Sequence, residues 1–462
     1  MIGAARPGGK GRTDMANPSA LRAAVLGLLL VLSGGCGAGQ PGPQADGLDA
    51  QAKAFVKLLA RGDFEAAAAR FDPTMAQALP APKLQAVWQS LVAKVGPLKA
   101  MGDARREAVP GYEIVLVRCE FERAPLLAKV VFDPKGRITG LWFLPAEPPA
   151  WQPPPYVKPD SFGETEVKVG PADGPLPGTL TMPRGQGPFP ALVLVHGSGP
   201  NDRDETLGPN RPFRDLAWGL ASRGIAVLRY DKRTKVHPER FAAGQGGFTV
   251  NEETVDDAVA AAALLRAAQV IAPKRVFVLG HSLGGMLVPR IAARNPGIAG
   301  FVILAGATRP IEDAILAQTT YILAADGSLS EADQRKIDEL KAIAAQVKGL
   351  KDPAARSPIL LGAPPAYWLD LRGYDPAAAA AEVRRPMLVL QGGRDYQVTA
   401  KEDFAAWQRA LAGRLDVTLR LYADLNHLFM RGEGPCTPAE YGVAGYVAEA
   451  VVADIADWIK RP

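Results

Sequence analysis

The sequence is poor in the residues that build covalent or metal frameworks. Only three cysteines, Cys36, Cys119 and Cys436, occur in 462 residues. Their number and spacing exclude a disulfide scaffold and match no zinc-ligand pattern. Because Cys119 and Cys436 lie in different predicted domains, we expect both to be free thiols. We therefore predict no metal centre. The chain has only four histidines, so few residues can serve as a catalytic base.

The excess of positive over negative charge is also small. The formal net charge is only +5, and no basic block with interleaved aromatic residues occurs, which argues against nucleic acid as a partner. Apolar residues make up 48% of the chain, enough for a sizeable core. The length predicts two or three domains. The oligomeric state is left open.

Long hydrophobic runs are scarce, and the run near the N-terminus is too short to span a bilayer. It covers residues 23–32, follows Arg22 and ends shortly before Gly35 and Cys36. This order of a basic residue, an apolar segment and small residues is typical of a secretory signal. Its end resembles the lipobox of bacterial lipoproteins, in which the cysteine becomes the lipidated N-terminal residue. We therefore predict a signal peptide over residues 1–36, lipidation of Cys36, and an exported, membrane-anchored protein of the periplasm or cell surface. Ordinary signal-peptidase cleavage, with Cys36 incidental, is the alternative.

A tether and a small domain follow. Residues 37–46 are rich in Gly, Pro, Gln and Ala without periodicity, which predicts a flexible tether. Residues 47–145 begin with helical periodicity and change to strand patterns, which predicts an α+β domain. The three strands are expected at residues 112–118, 126–132 and 138–144. This order of elements resembles that of nuclear-transport-factor-2-like domains. A proline-rich stretch then marks residues 146–160 as a stiff linker.

Residues 161–462 show the pattern of an α/β domain. Six short runs rich in Val, Ile and Leu lack alternation, which is typical of strands buried on both faces of a parallel sheet. The runs are residues 191–195, 225–229, 276–279, 301–304, 387–390 and 417–421. Helical segments lie between them, so we predict a doubly wound, mostly parallel sheet. The interval between the fourth and fifth runs is too long for one crossover, and we interpret about residues 307–380 as a helical lid over an active site.

The most specific chemical motif is Gly280-His281-Ser282-Leu283-Gly284, which matches G-x-S-x-G. It follows a predicted strand and opens a helix, the context of a nucleophile elbow. The sharp turn needs glycine neighbours and lifts the serine hydroxyl out at the carboxyl end of the sheet. The helix that follows directs its N-terminal dipole toward a developing oxyanion. We therefore predict Ser282 as a nucleophile rather than an idle serine in a glycine-rich turn.

A second glycine-rich turn, His196-Gly197-Ser198-Gly199, ends another predicted strand. Such a turn lets backbone N–H groups approach a substrate oxygen. Beside a nucleophile elbow, the oxyanion hole takes one amide from the residue after the serine and another from this loop. We predict Leu283 and Ser198 as these two donors. His196 is expected to be structural, with a direct catalytic role as the alternative.

The base follows by elimination among the four histidines. His196 and His281 belong to the glycine-rich motifs, and His237 lies in a polar loop. His427 follows the last predicted strand, where the chain order Ser, Asp, His places the base. We therefore predict His427 as the general base.

The acid is expected in a loop that leaves the carboxyl end of a neighbouring strand. Asp395 follows the predicted strand at residues 387–390, and such a loop brings its carboxylate beside His427. There it would fix the imidazole tautomer and stabilise the imidazolium. Asp424, only three residues before His427, is the alternative acid.

Residues 160–460 resemble α/β-hydrolases of the secreted esterase and serine-aminopeptidase-like branch. The segments that resemble a carboxylesterase subgroup most closely are residues 196–204, 229–233 and 426–429. The resemblance implies a triad of Ser282, Asp395 and His427, in agreement with the assignment above. It implies a cofactor-independent serine hydrolase that cleaves a small-molecule carboxylic ester through an acyl-enzyme. A peptidase or amidase with the same triad, and an inactive surface-anchored binding lipoprotein, are the alternatives.

Two further sets of side chains have open roles. The charged residues within 202–205 and 231–233 either shape the rim of a pocket or form structural ion pairs. In the predicted lid, apolar residues 321–323 and 367–369 either contact an acyl chain or pack the lid onto the sheet.

Overall fold

The computed structural model describes residues 47–109, 112–146, 150–241, 247–325, 327–353 and 360–461. The chain divides into two compact units, residues 1–148 and 149–462, and the boundary falls within the predicted proline-rich linker. The predicted signal, Cys36 and the tether lie outside the described residues. Within the described ranges, no helix is both long enough and apolar enough to cross a membrane.

The first unit combines helices with an antiparallel sheet. Its elements are α1 (Leu48–Arg61), α2 (Phe64–Ala68), α3 (Pro73–Ala78), α4 (Ala81–Val95), β1 (Leu98–Val109), β2 (Tyr112–Phe121), β3 (Pro125–Phe132) and β4 (Ile138–Pro145). The strands form a meander in the order β1-β2-β3-β4. The predicted α+β class is confirmed. Strand β1 was not predicted, because its sequence is rich in charged residues and contains no apolar run.

Helix α1 shows how this unit is held together. Its residues Phe55, Val56 and Leu59 are fully buried, and they share one face because positions three and four apart are neighbours on a helix. They pack in one apolar cluster with Val117 of β2 and Val130 of β3. The core of this unit therefore lies between the helices and one face of its sheet.

The second unit contains an eight-stranded sheet. Its strands are β5 (Phe162–Val169), β6 (Leu176–Pro183), β7 (Phe189–Val195), β8 (Ala226–Tyr230), β9 (Ile271–His281), β10 (Gly300–Leu304), β11 (Met387–Gly392) and β12 (Val417–Tyr422). Its helices are α5 (Pro212–Ala221), α6 (Arg233–Val236), α7 (Asp256–Ala267), α8 (Leu283–Arg294), α9 (Ile311–Leu323), α10 (Glu331–Gly349), α11 (Pro365–Leu371), α12 (Pro376–Ala381), α13 (Ala405–Ala410) and α14 (Glu449–Lys460).

The strand order is β12-β11-β10-β9-β7-β8-β6-β5. Strands β7 to β12 pair in parallel, and each corresponds to one of the six predicted runs, although β8 begins one residue after the run expected from residue 225. The hairpin β5-β6 adds an antiparallel edge. It escaped prediction because most of β5 is exposed and polar, so no apolar run marks it. The predicted doubly wound, mostly parallel sheet is confirmed.

Both faces of the parallel strands are buried under helices. In β7, Val193 and Val195 pack in one apolar cluster with residues of α7 and α8, whereas Leu192 and Leu194 pack in another with residues of α5 and α14. This division follows from the alternation of side chains along a strand. Because the strands are parallel, their carboxyl ends meet at one edge of the sheet, where ligands bind in such folds.

Helices α9 to α12 form the long insertion between β10 and β11. The first of them, α9, contains no fully buried residue, whereas α11 buries Tyr367 and Trp368. The indole of Trp368 donates to the carbonyls of Leu360 and Ala363 at 3.1 and 3.2 Å. The two ends of the insertion therefore differ, because α11 packs into the core and α9 lies partly open.

Candidate active site

Ser282 lies at the turn between β9 and α8. Its φ of 54° and ψ of −115° are unusual for a residue with a side chain. Hydrogen bonds maintain this conformation, because the Ser282 amide donates to Leu304 at 3.0 Å and its carbonyl accepts from Met286 at 2.9 Å. A strained backbone of this kind is often found at a functional site. The strand, turn and helix expected around Ser282 are all present.

Close backbone contacts explain two glycines of the motif. A Cβ added to Gly280 would lie 2.2 Å from the carbonyl oxygen of Gly284. A Cβ added to Gly284 would lie 2.4 Å from the carbonyl oxygen of Val195. Both distances are far below van der Waals contact, so any side chain here would displace the turn. The glycines let the elbow pack directly against the end of β7.

Asp395 and His427 form a buried pair. The distance between Asp395 Oδ2 and His427 Nδ1 is 2.7 Å. The carboxylate is held from other directions by Gln391 Nε2 at 3.2 Å and by the amides of Gln397 and Val398 at 2.8 and 3.0 Å. Since a carboxylate accepts, Nδ1 of the neutral imidazole carries the proton and Nε2 presents a lone pair. This is the tautomer that a general base requires.

The alternative acid, Asp424, is directed elsewhere. Its carboxylate pairs with the guanidinium of Arg431, and its side chain is 47% exposed. Of the two candidate acids in the sequence, the structure therefore joins Asp395, and not Asp424, to His427.

The turn that carries His427 is built by its neighbour Asn426. The Asn426 Oδ1 accepts from the amides of Leu428 at 3.0 Å and Met430 at 3.1 Å. Phe429 is fully buried and takes a positive φ of 59°, which this tight turn imposes. The segment of residues 426–429 therefore has a structural explanation, because it sets the backbone from which the imidazole projects.

His281, the residue before the nucleophile, contacts the backbone of the candidate base. Its Nε2 lies 3.0 Å from the carbonyl oxygen of His427, to which only a protonated nitrogen can donate. Its Nδ1 lies 2.8 Å from Oε2 of Glu205. Sequence reasoning assigned no partner to either His281 or Glu205.

Each residue of this buried pair stabilises the charged form of the other. Burial is the largest influence on the pKa of His281 and would lower it, but the carboxylate of Glu205 and the bond to the His427 carbonyl together raise that pKa. Burial is also the largest influence on the pKa of Glu205 and would raise it, but the imidazolium of His281 and the Gly197 amide together lower that pKa. The two therefore form an imidazolium–carboxylate pair beneath the elbow.

The glycine-rich loop after β7 passes over the nucleophile. A Cβ added to Gly197 would lie 3.1 Å from Cβ of Ser282. The Gly197 amide donates to Oε1 of Glu205 at 2.7 Å, and its carbonyl accepts from Nζ of Lys232 at 2.8 Å. The amide of Gly197 is thus already engaged. The next amide along the loop belongs to Ser198, which is exposed and is one of the two predicted oxyanion donors.

Charged residues in the loop after β7 form ion pairs with charged residues in and just after β8. The guanidinium of Arg203 pairs with Asp231 at 3.1 Å, and the Arg203 amide donates to the same carboxylate at 2.8 Å. In a second ion pair the loop supplies the carboxylate, because Asp204 pairs with the guanidinium of Arg229. These residues form structural ion pairs, the second of the two roles considered for them. They hold the loop of Ser198 against the end of β8.

His196 has a structural environment. Its ring packs 5.1 Å from Phe213 and 5.4 Å from Tyr230, and it is almost fully buried. Burial lowers its pKa to about 4, so the ring is neutral at physiological pH. This environment agrees with the structural role expected for His196.

The aromatic residues of the insertion have two different environments. Tyr367 and Trp368 are buried and pack the insertion onto the sheet. Tyr321 of α9 instead stacks on Tyr396, with ring centroids 5.0 Å apart and planes at 4°. Since Tyr396 follows Asp395 directly, α9 lies beside the loop of the candidate acid.

The two cysteines of the described residues lie apart from the candidate triad in the sequence. Cys119 and Cys436 are buried free thiols, in agreement with the expectation that they form no bond. In the part of the chain that the structure describes, no group of three or more His, Cys, Asp or Glu side chains is placed to hold a metal ion.

A serine elbow at the carboxyl edge of a parallel sheet, with an Asp–His pair from later loops, defines the class of α/β hydrolases. A family model described as "Alpha/beta hydrolase family" matches residues 192–436, and the chain belongs to that family. Residues 52–141 match a second model, described as "Protein of unknown function (DUF3887)".

One relative extends over both units. Esterase EstD of Thermotoga maritima is 40% identical over 416 residues, which cover 89% of this chain and 95% of that protein. Among solved structures, an esterase of Pyrococcus furiosus is 20% identical, with a TM-score of 0.41 over 68% of this chain and 98% of its own. A puromycin-hydrolyzing peptidase of Mycobacterium tuberculosis is 17% identical, with a TM-score of 0.42 over 79% of this chain and 47% of its own.

Proposed function

We propose that this protein is a serine hydrolase that cleaves small-molecule carboxylic esters, with Ser282 as nucleophile. His427 acts as general base and acid, and Asp395 fixes its tautomer. The backbone amides of Leu283 and Ser198 form the oxyanion hole. No metal or organic cofactor takes part in these steps.

The chemistry follows the order of groups at the elbow. Ser282 Oγ attacks the ester carbonyl while its proton passes to Nε2 of His427, and the carbonyl oxygen becomes an oxyanion at the amides of Leu283 and Ser198. The imidazolium then returns the proton to the leaving alcohol as the C–O bond breaks, which leaves an acyl-enzyme. Water repeats the sequence, and the acid product leaves.

The observation that carries the proposal is the buried contact of 2.7 Å between Asp395 and His427. It supplies an oriented base at the edge of the sheet where the elbow presents Ser282. His281 links the two loops, because it precedes Ser282 in the chain and contacts the His427 carbonyl at 3.0 Å. The similarity to Esterase EstD, at 40% identity over both units, favours an ester as substrate.

The test is Ser282→Ala, measured with short p-nitrophenyl esters and with a fluorophosphonate probe. We expect kcat to fall roughly 10⁴–10⁶-fold, as triad deletions do, with an unchanged circular dichroism spectrum. Ser161→Ala is the matched control, because this serine lies outside the site and its hydroxyl donates to the Lys158 carbonyl at 2.6 Å. Ester cleavage near the wild-type rate in Ser282→Ala would refute the proposal.

The same preparations separate the remaining possibilities. Matched ester and anilide substrates compare ester with amide cleavage, and a higher kcat/KM for the anilide would make the protein an amidase or peptidase. An inert Ser282 in folded wild-type protein would favour a binding lipoprotein without activity.

We also propose that the chain is exported and anchored by lipid at Cys36, and that its first domain is nuclear-transport-factor-2-like. The anchor rests on the apolar run of residues 23–32 and on Gly35 before the cysteine. Each methylene of an acyl chain adds ~0.8 kcal/mol of membrane affinity. Detergent phase partition of the wild type and Cys36→Ser tests the anchor, and equal partition would exclude it.

A further inference from the structure

Lys232 is a buried lysine that the proposed reaction does not use. Its side chain is only 2% exposed, and Nζ lies 2.8 Å from Oε1 of Glu253. That carboxylate balances the ammonium, since a buried charge without a partner is strongly destabilising. The same Nζ also donates to the carbonyl oxygen of Gly197 at 2.8 Å. This second contact reaches the loop of the proposed oxyanion hole.

The Gly197 carbonyl and the Ser198 amide belong to one peptide group. A trans peptide is planar, and its C=O and N–H bonds point in opposite directions. A donor fixed on the carbonyl oxygen therefore fixes the direction of the N–H as well. A positive charge beside that oxygen also polarises the peptide group and makes its N–H a stronger donor.

We propose that Lys232 is a positioning residue, whose ammonium orients and polarises the peptide group that presents the Ser198 N–H to the oxyanion. The inference rests on the proposed function, because it gives the Ser198 amide a role in stabilising charge on the substrate oxygen. The effect belongs to the transition state, in which that charge is largest.

Neighbouring contacts hold the same part of the loop. The preceding peptide group is held by Glu205, which accepts the Gly197 amide at 2.7 Å. Asn201 Nδ2 adds weaker contacts of 3.3 and 3.1 Å to the carbonyls of Gly197 and Ser198. Of these groups, Lys232 alone brings a positive charge to the Gly197 carbonyl oxygen.

The position of the ammonium is itself well determined. The Lys232 amide donates to the Asn201 carbonyl at 3.0 Å, so its main chain is tied to the loop it serves. On the far side, Glu253 accepts from the hydroxyl of Tyr367 at 3.1 Å. Tyr367 belongs to α11. The insertion therefore helps to fix the Glu253 carboxylate, which in turn fixes the ammonium of Lys232.

The test removes both charges together, because Lys232→Met alone would leave the Glu253 carboxylate buried without its partner. The double variant is Lys232→Met with Glu253→Gln. Its matched control is Arg233→Met with Asp257→Asn. Arg233 follows Lys232 directly in the chain. It also forms a largely buried ion pair, with its Nε 3.0 Å from Oδ2 of Asp257.

We expect kcat of Lys232→Met/Glu253→Gln on p-nitrophenyl esters to fall roughly 10–100-fold, less than the loss of a complete oxyanion donor. KM should stay within about twofold, because the charge acts in the transition state. The control should keep its kcat, whatever stability it loses. If Lys232 had a merely structural role, kcat and KM would change in the same way in both variants.

A spectroscopic measurement reports the oxyanion directly. A trifluoromethyl ketone labelled with ¹³C at the carbonyl adds to Ser282 as a hemiketal, and its chemical shift follows ionisation of the hemiketal oxygen. We expect that ionisation to move to higher pH in the double variant and to stay unchanged in the control. If this double variant does not fold, Lys232→Gln with Glu253→Gln is measured instead, because it also removes both charges but keeps a neutral N–H donor.

An unchanged kcat and an unchanged hemiketal titration in a folded Lys232 variant would overturn the inference, as would equal losses in the control. Failure of the proposed function looks different. In that case the wild type cleaves no ester, or Ser282→Ala keeps its activity, and no hemiketal forms at Ser282.

Discussion

Asp395 and His427 are joined at 2.7 Å, whereas Asp424, three residues before His427, pairs with Arg431 at the surface. This contrast predicts opposite results for two conservative substitutions. Asp395→Asn should lower kcat on p-nitrophenyl esters about 10⁴-fold, because an amide favours the wrong imidazole tautomer. Asp424→Asn should keep kcat close to the wild-type value. Steady-state kinetics of the two variants, with folding checked by thermal melting, compare the acids directly. A larger loss in Asp424→Asn would reverse the assignment.

The buried pair of Glu205 and His281 predicts a pH-dependent contribution to stability. The pKa of His281 is raised on folding, so its contribution is complete below the unfolded value of ~6.5 and is lost as pH rises through the folded value. The pKa of Glu205 is lowered on folding, so its contribution is complete above ~4.3 and is lost as pH falls through the folded value. The pair therefore stabilises the fold most between about pH 4.3 and 6.5.

Glu205→Gln tests this window. The amide can still accept from Gly197, but it has no charge for His281, and we expect a loss of roughly 2 kcal/mol near pH 5.5. The difference from wild type should narrow at pH 9, because rising pH favours the neutral form of His281. Glu239→Gln is the control, because Glu239 faces His237 at 3.7 Å with its side chain 67% exposed. Urea unfolding at both pH values measures the change, and a difference independent of pH would argue against the ion pair.

The reactivity and the number of free thiols provide another test. Burial raises the pKa of both Cys119 and Cys436 to about 11, so neither forms a thiolate readily in the native protein. A disulfide reagent at pH 8 should react with them only slowly until the chain is unfolded. In denaturant, the purified protein should then show two reactive thiols if Cys36 carries a lipid thioether. Three thiols would mean that Cys36 is unmodified, and Cys36→Ser should show two in either case.

The sequence predicted those parts of the site that local patterns mark. The apolar runs of the parallel strands and the glycines around Ser282 are such patterns, because burial on two faces and a sharp turn each restrict neighbouring residues. The chain order of the triad then indicated His427, and the loop after a buried strand indicated Asp395. In the structure their side chains lie 2.7 Å apart.

The buried charges behind the oxyanion loop could not be predicted in this way. Glu205 meets His281, and Lys232 meets Glu253, only after β7, β8 and β9 are assembled side by side. Before that, each is one charged residue in a polar segment, where solvated surface is the commoner outcome. For Lys232 the only signal was its place after a buried strand within residues 229–233, a segment that resembles a carboxylesterase subgroup.

The last prediction concerns the inserted helices and the size of the substrate. Helix α9 is rich in apolar residues, yet none of them is fully buried. Its Tyr321 stacks on Tyr396, beside Asp395, and the Tyr321 hydroxyl donates to the Cys436 carbonyl at 2.9 Å. The base of α9 is fixed by Arg309, whose guanidinium pairs with the fully buried Asp403 at 2.8 Å. We expect this helix to bound the space available to an ester, because a cover near the nucleophile limits access.

The change to make is the replacement of α9 and α10, residues 311–349, by a glycine-serine linker. This replacement retains α11, so Tyr367 still contacts Glu253. It removes Val347 from the core cluster under the insertion, so folding of the variant is checked first by thermal melting. We expect the ratio of kcat/KM for long over short acyl chains to rise roughly tenfold, the scale on which a pocket discriminates small apolar differences. The control, Lys336→Ala with Glu339→Ala, removes an exposed ion pair of α10 and should leave the ratio unchanged. An unchanged ratio in a replacement variant that folds and labels at Ser282 would show that α9 and α10 do not set substrate size.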